Sequence, residues 1–269
     1  MKHIGREAVL WGPFALCLLV SMQRFSTAQP FPYTITDLGS PNDTAAANNP
    51  LRGFAVNPDW TYPYLTTIPC SLEFYYIGLN KVMTANNTFN WNAYLEPKLN
   101  ATANRGKHAI LRFFLDYPQE PTGVPDYLIQ AGLTFNTYTA YGGGKSPNYS
   151  DTNLLYALKT FITAFGAKYD NDNRIGFIQL GLLGFWGEWH TYTNKDEGWI
   201  PMSTKTSVVS WFRAAFQKTQ LLMTEDIGMS DIGLHDDSFA YETIDGAANG
   251  GVLEDYFFWS KVKRYVCFI

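Results

Sequence analysis

A single glutamate, Glu188, stands among aromatic residues in the run LLGFWGEWHTY. Trp186 and Trp189 flank it, and His190 follows two residues later. Indole rings lower the local dielectric, which disfavours an ionised carboxylate and is expected to raise the pKa of Glu188. A carboxylic acid that keeps its proton near neutral pH can protonate a leaving oxygen, so the pattern favours glycosidic bond cleavage. The alternative is a structural acid neutralised by an arginine such as Arg112 within an aromatic-rich core.

Further polar and aromatic residues are candidates for substrate contacts, each with an ordinary structural role as its alternative. Asp116 is predicted to close the third strand, where it either binds a sugar hydroxyl or pairs with Arg112 or Arg52. Aromatic rings suit sugar faces as well as protein cores. The candidate stacking surfaces are Trp60, Tyr141, Trp186 and Trp189, and the candidates for hydrogen bonds to substrate are His190, Tyr192, His235, Asp236, Asp237 and Glu242.

Six short apolar segments are predicted to be strands, and amphipathic helices separate several of them. Their continuous apolar character favours a parallel sheet covered by helices over a half-exposed antiparallel sheet. No Gly-x-Gly-x-x-Gly run follows a strand, so a dinucleotide-binding fold has no support. We therefore predict an α/β fold, a (β/α)8-type barrel that is incomplete, with about six recognisable strands. The predicted strands are 51–58, 71–79, 108–116, 175–185, 221–226 and 238–245.

Two helices are predicted from apolar residues that recur on one face. The first contains Leu154–Phe165 behind a cap at Ser150 or Asp151, and the second contains Val208–Phe216 behind Ser203. Glu188 follows the carboxyl end of the fourth predicted strand. In a (β/α) barrel this end of the strands forms the catalytic face.

Glycine and proline mark the connections between these elements. Pro97 is expected to open a helix within the less regular segment 91–104. Gly142–Gly144 follow the third strand in a long loop, which is either a mobile substrate lid or a solvated connection. Gly184 and Gly187 are expected to allow a close approach of backbone and ligand.

The first 28 residues are predicted to be a signal peptide. A positively charged start precedes an apolar core from Ala8 to Val20, and Ser26–Ala28 provides small residues for cleavage. The apolar run is too short to span ~30 Å of hydrocarbon, and Pro13 interrupts it. We therefore expect a secreted, extracellular protein without a membrane span in the mature chain, beginning with a polar lead-in at residues 29–48.

Composition narrows the range of partners. The formal net charge of −4 becomes −6 once the signal peptide leaves, which argues against nucleic acid as a partner. No clustered His/Cys pattern is present, so neither a metal site nor a cofactor is predicted. Cys70 either pairs with Cys267 or is a lone buried thiol. The oligomeric state stays open, and potential glycosylation sites are Asn42, Asn86, Asn100 and Asn148.

Three stretches carry a family resemblance: NPLRGF, IGFIQLGLLGFWGEWHTY and HDDSFAYET. Over residues 49–259 the chain resembles a family of secreted, largely uncharacterised proteins, whose domain is similar to the barrels of the large retaining glycoside hydrolase superfamily. The resemblance implies that Glu188 is the general acid/base at the end of the fourth strand. The superfamily usually has Asn immediately before this acid, whereas this chain has Gly187.

The same resemblance leaves the catalytic pair incomplete. A retaining mechanism needs a second carboxylate ~5 Å from the first, and the superfamily places it on the seventh strand. No residue of this sequence matches that nucleophile, and residues 260–269 depart from the family pattern, so we expect a C-terminally truncated chain. Two functions stay open: a glycoside-hydrolase-like protein acting on a polysaccharide or oligosaccharide through Glu188, or a non-catalytic carbohydrate-binding protein.

Overall fold

The computed structural model describes residue 51 and residues 54–59, 70–191, 199–224 and 232–235. Over these ranges the chain is an α/β fold around one central sheet of six parallel strands, with two antiparallel hairpins beside it. In chain order the strands are β1 (Phe54–Val56), β2 (Cys70–Gly78), β3 (Met83–Ala85), β4 (Thr88–Phe89), β5 (His108–Phe114), β6 (Phe135–Tyr138), β7 (Gly144–Pro147), β8 (Ile175–Gln179), β9 (Gln220–Thr224) and β10 (Gly233–His235).

The central sheet has the order β1-β2-β5-β8-β9-β10, and the hairpins are β3-β4 and β6-β7. Neighbouring strands of the sheet therefore follow one another along the chain, as they do in a (β/α) barrel. The sheet does not close within the described residues, so the prediction of an incomplete barrel-type α/β fold is confirmed for this part of the chain. The helices are α1 (Leu79–Val82), α2 (Glu96–Asn104), α3 (Asp126–Gln130), α4 (Thr152–Tyr169) and α5 (Met202–Ala215).

The helix termini test the predicted caps. Asp151 caps α4, because its Oδ1 accepts hydrogen bonds from the backbone N–H groups of Asn153 and Leu154, both at 2.9 Å. The predicted cap at Ser203 is wrong: α5 begins at Met202 after Pro201, without a side-chain cap. Pro97 lies in the first turn of α2, as predicted, and a π-helical turn at Trp91–Leu95 precedes that helix.

The two faces of the sheet pack differently. One face carries most of the core, in which Phe113 of β5 packs against Phe161 and Phe165 of α4 at 4.9 and 5.2 Å between ring centroids. The other face carries a small apolar cluster that includes Ile110 and Phe177. Arg112 follows Ile110 by two residues and therefore lies on this second face, beyond the cluster toward the carboxyl edge.

The fourth strand is shorter than predicted. It ends at Gln179 rather than at residue 185, because the chain bends where Gly181 meets the neighbouring strand. A Cβ at Gly181 would lie 2.1 Å from the carbonyl oxygen of Phe113, and Leu182 adopts a left-handed φ of 73° that no strand accommodates. The first strand is also shorter, at Phe54–Val56.

The long loop after the third strand contains α3 and the hairpin β6-β7, so this loop is a folded connection. No helix in the described ranges has the length and hydropathy to cross a bilayer. Several predictions lie outside the described residues: the signal peptide at 1–28, the lead-in at 29–48, the strand at 238–245, the tail at 260–269, and Arg52, Trp60, Tyr192, Asp236, Asp237, Glu242, Asn42 and Cys267.

Candidate functional site

The candidate site lies at the carboxyl edge of the central sheet, where the loops after β5 and β8 meet. Tyr76 of β2, Arg112 of β5 and Gln179 of β8 are in register on neighbouring strands, so their side chains form a row across the sheet. Glu188 follows β8 in the next loop and reaches back to this row. The parallel arrangement thus places residues that are far apart in sequence beside one carboxylate.

Arg112 is the centre of the row. Its side chain is 0% exposed, and its guanidinium donates hydrogen bonds to Glu188 Oε1 at 3.0 Å, Tyr76 Oη at 3.0 Å and Gln179 Oε1 at 2.5 Å. Nη2 lies 3.1 Å from Nδ1 of His235, which must accept because a guanidinium has no acceptor. The aromatic ring of Tyr76 also lies 5.0 Å from the guanidinium carbon.

Glu188 is held at both carboxylate oxygens. Oε1 accepts from Arg112, and Oε2 lies 3.3 Å from Nε2 of His190. The side chain is 22% exposed, so one part of it still faces solvent. These contacts suit a carboxylate that accepts hydrogen bonds. The expected apolar setting of Glu188 is therefore corrected: the pairing with Arg112, considered above as the alternative, is what the structure shows.

Trp189 is not a stacking surface in this structure. Its side chain is fully buried, and the indole N–H donates to the carbonyl oxygens of Leu180 and, at 3.1 Å, Gly181. The ring therefore packs beneath the loop and satisfies carbonyl groups where the fourth strand ends. This placement overturns the prediction that Trp189 binds substrate by stacking.

The loop after β8 adopts an unusual backbone. Gly184 and Gly187 have φ values of 74°, and a Cβ at Gly184 would lie 2.3 Å from the carbonyl oxygen of His190. These glycines allow close packing of the protein backbone on itself, rather than the predicted approach of a ligand. Left-handed φ values are costly for residues with bulky side chains. Three such residues in this loop, Leu182, Trp186 and Trp189, have left-handed φ values.

Asp116 is also placed differently from its prediction. It is 1% exposed, and its oxygens accept hydrogen bonds from Tyr138 Oη at 2.6 Å and from Ser146 Oγ. Burial raises the pKa of Asp116, although both hydrogen bonds favour the carboxylate and act against that rise. The pairing with Arg112 is absent, since that guanidinium contacts Glu188, and Arg52 lies outside the described residues.

Aromatic side chains border the exposed part of the loop. Tyr141 is 47% exposed, and its ring meets the edge of Trp186 at a centroid distance of 5.0 Å. Tyr117, which the sequence analysis did not single out, contacts Trp186 at 6.4 Å and Tyr76 at 5.6 Å. We define the aromatic patch as Tyr117, Tyr141 and Trp186.

The site residues that sequence reasoning missed had a detectable signal. Tyr76 alternates with Phe74 along β2 and therefore shares the face that Ile110 and Arg112 occupy on β5. Gln179 is a polar residue at the last position of an otherwise apolar strand. Over the described part of the chain, no group of three or more His, Cys, Asp or Glu side chains is arranged to hold a metal ion.

Comparisons with known proteins give partial structural similarity only. No protein-family model matches the chain, and no curated protein matches it. Endo-glycoceramidase II from Rhodococcus sp. is similar at 12% identity and a TM-score of 0.42, over 56% of this chain and 39% of that one. The catalytic domain of β-amylase from Paenibacillus polymyxa is similar at 14% identity and a TM-score of 0.34, over 40% and 29%. The matched part thus spans well under half of these solved chains.

Proposed function

We propose that this protein binds carbohydrate at the carboxyl edge of its sheet, with Glu188 as the central hydrogen-bonding group. One observation carries the proposal: a partly exposed carboxylate is fixed by Arg112 and His190 beside the aromatic patch. Sugars offer hydroxyl groups that donate to a carboxylate and C–H faces that pack on aromatic rings. A fixed acceptor next to the exposed ring of Tyr141 and the partly exposed ring of Trp186 supplies both kinds of contact.

Binding suits this geometry better than proton donation does. Arg112 is buried and permanently charged, and its hydrogen bond to Glu188 Oε1 fixes that side chain as an acceptor for ligand hydroxyl groups. Glycoside hydrolysis with Glu188 as general acid/base is the second candidate, and the contact with His190 favours it. A histidine within hydrogen-bond distance of a carboxyl group is a common arrangement in general acid/base catalysis, and Nε2 of His190 lies 3.3 Å from Glu188 Oε2.

We also propose that the protein works outside the cell, as the signal-like amino terminus indicates. Asn86 and Asn148 support this location, because both are exposed, in the β3-β4 turn and just after β7 respectively. A glycan at either position would extend into solvent. Expression in a eukaryotic secretory host and mass spectrometry of the secreted chain test the location and its glycans; retention of the chain inside the cell would contradict it.

The test of function compares Glu188→Gln with the wild-type chain on a panel of soluble oligosaccharides. Calorimetry measures binding, and a reducing-sugar assay measures hydrolysis. Glu120→Gln is the matched control, because Glu120 is an exposed glutamate on the loop after β5. We expect binding without turnover, weakened about tenfold by Glu188→Gln because an acceptor loses its charge. Turnover that Glu188→Gln abolishes would establish the second candidate, and neither binding nor turnover in the wild type would contradict both.

A further inference from the structure

Asp116 joins the two segments that border the site. Its side chain accepts from Tyr138 on β6 and from Ser146 on β7, and its backbone carbonyl accepts from the N–H of Trp186 at 2.9 Å. Asp116, two residues after β5, therefore contacts both strands of the hairpin and the loop that carries Glu188. A buried carboxylate is costly to desolvate, so its use here in place of an apolar residue points to positioning.

The run of three glycines makes the contact of the hairpin with Asp116 possible. A Cβ at Gly144 would lie 2.2 Å from the hydroxyl oxygen of Tyr138, so only glycine leaves room for that hydroxyl. Gly142 and Gly143 have φ values of 87° and 92°, and they turn the chain between the two strands of the hairpin. The backbone N–H of Gln119 donates to the carbonyl oxygen of Gly143 at 2.8 Å and closes this turn against the loop after β5.

The turn of the hairpin presents Tyr141 to solvent. Tyr141 has a left-handed φ of 52°, and its carbonyl oxygen accepts a hydrogen bond from Gln119 Nε2 at 2.9 Å. The ring lies against Trp186, whose own φ is 53°, and against Phe185 at 5.7 Å. The local conformation thus fixes the ring of Tyr141 on the same side of the site as Trp186, two residues before Glu188.

We propose that Asp116 is a positioning residue that holds the hairpin β6-β7 against the Glu188 loop, so that Tyr141 forms the stacking face for one sugar ring of the ligand. This proposal rests on the proposed carbohydrate-binding function. The proposal also gives a role to the three consecutive glycines, because Gly144 leaves room for the Tyr138 hydroxyl that donates to Asp116. Asp116 itself does not touch the sugar, because it is buried beneath the hairpin.

Limited trypsin digestion tests the positioning role without any ligand. Lys145 is exposed on β7, next to Ser146, so cleavage after Lys145 reports release of the hairpin. We expect Ser146→Ala and Asp116→Ala to raise the rate of this cleavage about tenfold, because each removes at least one hydrogen bond to a charged group. Asp116→Asn should stay close to the wild type, since its amide accepts from Tyr138 and donates to Ser146 Oγ. Cleavage after Lys159 in α4 is the internal control.

Oligosaccharide affinity tests the consequence for the site, using the panel member that binds the wild-type chain most tightly. Tyr141→Ala and Ser146→Ala should each weaken binding about tenfold, and Tyr141→Phe should retain it, because the flat ring rather than the hydroxyl makes the contact. Unchanged cleavage after Lys145 in both Asp116→Ala and Ser146→Ala would overturn the proposal, as would a released hairpin with undiminished affinity. A wild-type chain that binds no sugar would instead refute the proposed function, while the digestion still decides whether Asp116 holds the hairpin.

Discussion

Arg112 is a buried cation, and its side chain contacts four different segments of the described chain. Glu188 and His235 follow β8 and end β10 respectively, while Tyr76 and Gln179 lie on the flanking strands. The sequence could suggest Arg112 as a partner for Glu188, because an acid near apolar strands needs a counter-charge. It could not reveal the contacts with Tyr76, Gln179 and His235, which depend on strand register rather than on local pattern.

Replacing Arg112 by Lys should lower the free energy of unfolding by about 2–3 kcal/mol, because one ammonium cannot reproduce a planar fork of donors and leaves buried acceptors unpaired. Urea unfolding at neutral pH measures the change. Lys159→Arg on the exposed face of α4 is the control and should stay within about 0.5 kcal/mol of the wild type, because Lys159 is exposed. Equal stability of the two variants would show that the fork is dispensable.

The buried carboxyl group of Asp116 should make stability depend on pH. Burial raises the pKa of Asp116 in the folded chain above its value of ~3.9 when unfolded. The folded state then holds this proton more tightly, so ionising Asp116 costs stability as the pH rises from about 4 through the folded pKa. The stability of wild type relative to Asp116→Asn should therefore decrease over that interval, as measured by urea unfolding at several pH values. If the difference in stability between the wild type and Asp116→Asn does not change with pH, burial does not raise the pKa of Asp116.

The elements differ in how far local sequence determines them. The apolar stripe of α4 and its cap are local features: the stripe is confirmed, and of the two predicted caps, Ser150 and Asp151, the structure shows Asp151. The hairpin β6-β7 was not predicted, because its strands FNTY and GKSP lack apolar alternation. Its contacts with the rest of the chain include hydrogen bonds from Tyr138 and Ser146 to Asp116, which is distant in sequence. The end of the fourth strand also escaped prediction, since it depends on contact between Gly181 and β5.

Helix packing gives a prediction in which two effects oppose each other. Gly166→Ala in α4 should gain about 1 kcal/mol from helix propensity. The new Cβ, however, would lie 2.3 Å from the backbone carbonyl oxygen of Ala215 in α5, which cannot move aside like a flexible side chain. Overpacking costs about 1–3 kcal/mol, so we expect a net loss of stability on thermal unfolding. Thr163→Ala on the exposed face of α4 should instead be slightly stabilising, and a stabilised Gly166→Ala would mean that the helices separate easily.

Across the whole molecule, the two edges of the sheet have different characters. The carboxyl edge carries Glu188 and the aromatic patch. Charged contacts elsewhere join helices and connections to the strands: Glu73 of β2 accepts from Arg105 after α2, and Glu96 of α2 accepts from Arg174 before β8. In barrels of this type, the amino edge serves stability and the carboxyl edge serves function. The division between the two edges could be predicted from the sequence, because it follows from a parallel sheet. The particular ion pairs could not, because their partners are far apart in sequence.

Asp170, between α4 and β8, tests this division. Its carboxylate accepts backbone hydrogen bonds at 2.9–3.0 Å from Gln217, Lys218 and Thr219, the residues that lead into β9. Burial acts to raise the pKa of Asp170, but these hydrogen bonds outweigh it and lower the pKa. Its stabilising contribution is therefore present above the unfolded pKa of ~3.9 and is lost as the pH falls through the lower folded value.

Asp170→Asn should cost about 1–2 kcal/mol at pH 7, because one amide oxygen replaces two carboxylate oxygens as acceptors. The cost should shrink below about pH 4, where the wild-type carboxylate takes up a proton. Urea unfolding of both chains between neutral and acid pH measures this convergence. Oligosaccharide binding by Asp170→Asn at pH 7 should stay unchanged, because the variant alters the connection into β9 and leaves the Glu188 loop intact. Parallel stability curves, or a loss of binding by the folded variant, would show that stability and recognition are not divided between the two edges.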